Sequence, residues 1–249
     1  MLLVICIAIA IVSCIPSKSN IIGGTDAKRG DNPHMCSLQV RGSGHSCGAS
    51  IIGDQWAITA AHCVFGETPK TLYLRCSTLE HAKPGRDYNL TDLSVHKQFD
   101  GYHYDLALLK IQGKFQLGSP DMDKIQLAAP GSNVTVGSLL TVTGWGIYNL
   151  TDRKLSPKLR TVDVPVVDWL KCVDAYKRNK MNVTQDEFCA GYDQGGKDSC
   201  TSDSGGPIKY QNTLVGIVSW GADCAQPNYP GAYERVGLFR DWIKQISGI

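Results

Sequence analysis

The chain has 249 residues, of which 43% are hydrophobic and 19% charged, enough for one two-part domain with a substantial core. Its formal net charge of +2 offers no bulk attraction to nucleic acid or to an anionic membrane, so neither is expected as a partner. Leu2 to Ile15 is a nearly unbroken apolar run, closed by Pro16 and the polar Ser17-Lys18-Ser19-Asn20. It is too short to span a bilayer comfortably and reads as a secretory signal. Cys6 and Cys14 would leave with it, so eight of the ten cysteines remain. An even number in a secreted chain predicts disulfides, although eight cysteines permit roughly a hundred connectivities.

Downstream, short β-type runs alternate with Gly, Pro, Asn and Asp turns. They fall at Met35 to Val40, Ser50 to Ile52, Trp56 to Ile58, Thr71 to Arg75, Leu106 to Ile111, Leu139 to Thr143, Thr161 to Val167 and Leu214 to Trp220. That spacing indicates an all-β barrel or sandwich. Helical periodicity is confined to two places. Asp168 to Lys177 predicts a short helix with Asp168 at its start, and Leu238, Trp242, Ile243 and Ile246 predict one face of a terminal helix. Four N-x-[ST] triplets, at Asn89, Asn133, Asn149 and Asn182, are glycan candidates on surface loops.

Three local sequences carry the chemistry: Thr59-Ala60-Ala61-His62-Cys63, Tyr104-Asp105-Leu106-Ala107-Leu108-Leu109, and Gly196-Lys197-Asp198-Ser199-Cys200-Thr201-Ser202-Asp203-Ser204-Gly205-Gly206-Pro207. Any one alone reads as a core histidine, a turn acid or a turn serine. Together they supply His, Asp and Ser in an order that the acyl-transfer triad takes. A serine hydroxyl is a poor nucleophile unless a base lies within hydrogen-bond reach and a third group fixes the tautomer of that base. Ser204, His62 and Asp105 are the candidates. Glycines after Ser204 let a substrate carbonyl approach backbone N–H groups.

From Ile21-Ile22-Gly23-Gly24 to Asp241-Trp242-Ile243 the chain resembles the trypsin-like serine proteases. A narrower likeness is to arthropod digestive trypsins of the kind found among mite allergens. The resemblance implies two six-stranded antiparallel β-barrels of the chymotrypsin type with a C-terminal helix. The first would span about 21–125 and the second about 126–249, behind a signal and short propeptide at 1–20. It implies a secreted, monomeric Lys/Arg-specific endopeptidase that needs no cofactor and acts on proteins and peptides. It implies an inactive precursor, a separate activating protease, and protein protease inhibitors as partners.

Position by position, the resemblance implies Asp198 as the floor of the specificity pocket, with Gly221 and Gly231 as its walls. Ser219 would bond the buried aspartate, and the backbone N–H groups of Ser202 and Ser204 would form the oxyanion hole. Asp203 would pair with the new amine of Ile21 after activation, and with His45 and Ser37 before it. The bridges Cys47–Cys63, Cys172–Cys189 and Cys200–Cys224 follow from the same likeness. Cys36 and Cys76 match no usual pair. Because the first and fourth strands of the N-terminal barrel close on each other in this fold, a fourth bridge, Cys36–Cys76, is expected.

Three departures stand out. Ser202 replaces the usual glycine two residues before the nucleophile, where a left-handed backbone would cost about 1–2 kcal/mol. This is the feature that favours a rival reading, a catalytically weakened protease-like protein that binds inhibitors or host proteins. Asn20 precedes Ile21 where Lys or Arg is usual, so the enzyme would not activate itself. The loop after Cys76 offers Glu80 and Asp87 but no full set of oxygen ligands, so no metal site is expected.

Overall fold

A computed structural model describes residues 21–249; the apolar run, Lys18 and Asn20 lie outside the described residues. The first barrel is built from β1 (Met35–Val40), β2 (Gly44–Ile51), β3 (Trp56–Thr59), β4 (Leu72–Cys76), β5 (Arg86–Val95) and β6 (Ala107–Ile111). These close in the order β1-β2-β3-β6-β5-β4, all antiparallel. The sequence shows why. In Leu72–Cys76, Leu72, Leu74 and Cys76 are buried while Tyr73 and Arg75 are half-buried, the period-two pattern of a strand with one face on a core. Leu38, Ala49, Ile51, Leu74 and Leu109 meet inside.

The second barrel uses β7 (Leu139–Gly144), β8 (Arg160–Pro165), β9 (Glu187–Ala190), β10 (Pro207–Tyr210), β11 (Thr213–Trp220) and β12 (Gly231–Arg235). Its ladder runs β8-β7-β10-β11-β12-β9. The ends meet through a bridge between Val166 and Ala190, with Val167 N–H donating to Cys189 O at 2.8 Å and Gly191 N–H to Pro165 O at 2.9 Å. Read from β7, the order is the same as in the first barrel. Leu140, Val142, Val164, Ile208 and Tyr233 fill it, together with the fully buried Ile21.

The chain crosses between the halves at both ends. Thr25–Asp26 pairs with β8 of the second barrel. The last helix, α2 (Arg240–Ser247), packs Ile243 with Phe239, Ile52, Ile58 and Leu108 in the core between the barrels. Phe239 and Leu238 belong to a 3₁₀ turn before that helix. Leu238 is 48% exposed, so it leaves the apolar face predicted for it, because the tighter turn changes the period. The other helix, α1 (Trp169–Lys177), begins where expected, with Asp168 Oδ1 accepting Lys171 N–H at 3.1 Å.

The described residues hold four disulfides: Cys36–Cys76, Cys47–Cys63, Cys172–Cys189 and Cys200–Cys224. Cys36 and Cys76 are direct cross-strand partners on β1 and β4, so this bridge sits on the pair that closes the barrel. Asp87, offered above as an oxygen donor, is engaged by the Arg75 guanidinium at 2.7 Å. The sequon asparagines Asn89, Asn133 and Asn182 are exposed and Asn149 half-exposed. Asn89 lies within β5 rather than in a loop, and its Oδ1 accepts from Arg41 at 2.6 Å.

Candidate active site

His62 sits in the 3₁₀ turn Ala61–Cys63, directly after β3, and the Cys63 bridge to Cys47 ties that turn to β2. Asp105 is 2% exposed and precedes β6. Its Oδ1 accepts the His62 backbone N–H at 2.8 Å, and its Oδ2 lies 2.6 Å from His62 Nδ1. Ser219 Oγ, from β11, donates to the same Oδ2 at 2.6 Å. A carboxylate can only accept, so Nδ1 carries the imidazole proton and Nε2 is left as the basic nitrogen. Nε2 faces the half-exposed surface, 3.7 Å from Cys63 Sγ; no hydrogen bond joins it to Ser204 Oγ.

Ser204 reaches this region through its backbone. Its carbonyl accepts Gly48 N–H at 2.8 Å, beside the Cys47–Cys63 bridge, and Gly205 N–H donates to Val218 O at 2.8 Å. Ser202 has φ 70°, the left-handed region anticipated for it. Its carbonyl is held 3.1 Å from His45 Nε2. Among the described residues, the backbone N–H groups of Ser202 and Ser204 have no hydrogen-bond acceptor.

Asp198 is 4% exposed and opens into the same cleft as Ser204, a space of about 330 Å³ whose lining includes Ser219, Trp220, Gly221 and Gly231. Asp198 Oδ2 accepts Ala225 N–H at 2.9 Å. Burial pushes its carboxyl up to about 7 despite the opposing N–H donors of Ala225 and Ser199. No cation pairs with it among the described residues. A Cβ at Gly231 would stand 2.9 Å from Asp198 Oδ1, so only glycine leaves that carboxylate open to the cleft. Arg153 also lines this space, and nothing in its local sequence signalled that.

Asp203 is fully buried. Its Oδ1 accepts Gly146 N–H at 2.7 Å and its Oδ2 accepts Cys200 N–H at 2.9 Å. Burial pushes this carboxyl, too, up to about 7. The contact with His45 and Ser37, expected for the uncleaved precursor, is not the arrangement in this structure. Those two residues bond each other at 2.6 Å, and His45 turns its second nitrogen to Ser202 O. The reason is room: a Cβ at Gly144 or Gly146 would overlap the Asp203 carboxylate, and their absence opens a seat on β7 for it. Cys47, His62 and Cys63 lie close enough together to resemble a metal cluster, but the two sulfurs are bonded to each other and have no thiolate to offer.

This geometry can be set beside known proteins. The family model for trypsin matches residues 21–243. The chain belongs to the trypsin family. Similar curated proteins include Trypsin Blo t 3 of the mite Blomia tropicalis, 38% identical over 236 residues that cover 94% of this chain and 88% of that protein. Trypsin 5G1 of the mosquito Aedes aegypti is 38% identical over 240 residues, covering 95% and 88%. Vitellin-degrading protease of Bombyx mori is 34% identical over 251 residues, covering 98% and 93%. The chain is therefore a trypsin-like serine endopeptidase, and its likeness to arthropod trypsins is borne out. Among the described residues no helix is long and apolar enough to cross a membrane.

Proposed function

We propose that this trypsin-family enzyme is secreted as an inactive precursor and cleaves peptide bonds after Arg or Lys. The observation that carries the reading is Asp198, a buried carboxylate that pairs with no cation among the described residues and shares a cleft with Ser204. A long basic side chain entering there supplies the missing counter-charge, and an aromatic one does not.

In the proposed reaction His62 Nε2 takes the Ser204 hydroxyl proton as Ser204 Oγ attacks the scissile carbonyl. The Ser202 and Ser204 N–H groups receive the developing oxyanion. His62 then returns the proton to the leaving amine, and the same residues let water release the acyl group. Asp105 holds the imidazole and stabilises its protonated form. Ile21, freed by another protease, provides the amine that pairs with Asp203. The oxidised cysteines and exposed sequon asparagines suit a secreted glycoprotein that meets protein inhibitors as a monomer.

Active-site titration tests this. Protein beginning at Ile21 should react with one equivalent of an Arg-directed covalent serine reagent, and Ser204→Ala with none. Labelling that survives Ser204→Ala, or that prefers a Phe-directed reagent, would refute the assignment.

A further inference from the structure

The segment that carries Asp105 belongs to the first barrel, yet acids of the second barrel hold its backbone. Tyr104 N–H donates to Asp186 Oδ2 at 2.9 Å, and Asp105 N–H donates to Glu234 Oε1 at 2.8 Å. The held backbone is tight. Tyr104 has φ 54°, which is unfavourable for a bulky residue, and Leu106 N–H returns to Tyr104 O at 2.8 Å.

Glu234 on β12 lies directly across from Glu187 on β9, so the two side chains share a face of the sheet, and both are fully buried. Glu187 is fully engaged: its Oε1 accepts the Trp220 indole N–H and its Oε2 accepts Thr184 N–H at 2.9 Å. Glu234 Oε2 has no hydrogen-bond partner among the described residues. Arg235, its neighbour in the chain, is directed elsewhere, to Glu187 O at 2.8 Å and to Asn133 Oδ1. Burial, with Asp186, Glu187 and Asp105 close by, raises the Glu234 carboxyl well above its ordinary range, which favours its uncharged form. In that form it accepts from Asp105 N–H without setting a second negative charge behind the imidazole. Two acids in a sheet interior are costly unless they are hydrogen-bonded, and Glu234 spends its bonded oxygen on the Asp105 peptide.

We infer that Glu234 is a positioning residue for the Asp105 carboxylate. It fixes the Asp105 peptide from the opposite barrel so that the carboxylate meets both His62 donors, and Asp186 fixes the peptide before it. This rests on the roles proposed above for Asp105 and His62.

Glu234→Gln keeps an uncharged acceptor of the same shape. Glu234→Leu removes the acceptor and leaves a buried N–H unpaired. With protein beginning at Ile21, Glu234→Leu should lower kcat by about 10²-fold, the cost of a small misplacement, with KM unchanged. The downfield Nδ1–H proton resonance of His62 should move with it. Glu234→Gln should keep both the rate and the resonance. Wild-type kcat and an unmoved resonance in Glu234→Leu would overturn the inference, as would equal losses in the two variants. Asp105→Asn separates the two levels: if it stays fully active, the triad reading itself fails, whatever Glu234 does. If Glu234→Leu does not fold, Glu234→Met fills the space with a flexible apolar chain and is judged by the same criteria.

Discussion

The buried seat of Asp203 makes a quantitative demand on activation. Consider two proteins, one beginning at Ile21 and one beginning at Ser19. In the longer one Ile21 N is an amide, and among the described residues Asp203 is held by the N–H groups of Gly146 and Cys200. Burial then holds its carboxyl at about 7 rather than 3.8, roughly three units. At about 1.36 kcal/mol per unit, ionising it in the folded state costs about 4 kcal/mol. The folded value lies above the unfolded one. The group's contribution is therefore fully present below about pH 4 and is lost as pH rises to about 7. An ammonium at Ile21 removes that loss. The stability difference between the two proteins should open between about pH 4 and pH 7 and reach several kcal/mol at pH 8. Asp198 and Glu187, also raised to about 7 by burial, are common to both proteins and cancel from the difference. Urea unfolding at fixed slope across pH 5 to 8 reads the gap, and amidase activity at each pH should follow it. A gap that is absent or independent of pH would refute the reasoning. So would an Asp203→Asn variant of the longer protein that kept the longer protein's pH slope.

Other consequences are equally direct. Asp198→Ser should reduce kcat/KM for Arg substrates by several orders of magnitude, because a desolvated guanidinium loses its counter-charge. In the unmutated enzyme KM for those substrates should rise as pH falls below about 7, where Asp198 takes up a proton, and the variant should lose that dependence; a wild-type KM that stays flat from pH 8 to 5.5 would count against the pocket. Replacing Cys36 and Cys76 together by alanine opens a loop with a sequence separation of 40. The chain-entropy estimate is then a loss of about 4 kcal/mol, read as a lower denaturant midpoint, and an unchanged midpoint would contradict it. Ser202→Gly should add about 1 kcal/mol by relieving the left-handed serine, without lowering kcat/KM; a fall in kcat/KM would show that the serine side chain takes part.

Residues in distinctive local sequences were legible before any coordinates. His62, Asp105, Ser204 and Asp198 each lie in a short motif whose residue types the chemistry demands. The Cys36–Cys76 bridge was legible because both residues lie in strand-like runs that the expected fold sets side by side. Closure of the second barrel was harder to read, because it depends on a few bonds around Val166 and Ala190 rather than on a full ladder. Leu238 misled because periodicity does not tell a 3₁₀ turn from the first turn of a helix. The Asp203 contacts could not be read, since they depend on space left by Gly144 and Gly146 far along the chain. Glu187 and Glu234 gave no signal either. Each stands among strand residues as an ordinary polar position, and only the register across β9 and β12 sets them together in the interior.

The crossing of the chain between the barrels has a mechanical consequence. His62 and Asp105 ride on one half of the molecule, Ser204 and Asp198 on the other, and a slip between halves would misalign the groups proposed to react. Thr25–Asp26 is stitched to β8 while α2 leans its Ile243 on the opposite half, so the halves are buckled from both directions. Prying them apart means unfastening a strand edge and an apolar seam at once. Substitutions in α2, remote from the cleft, should therefore loosen the seam between the halves, and through it the cleft.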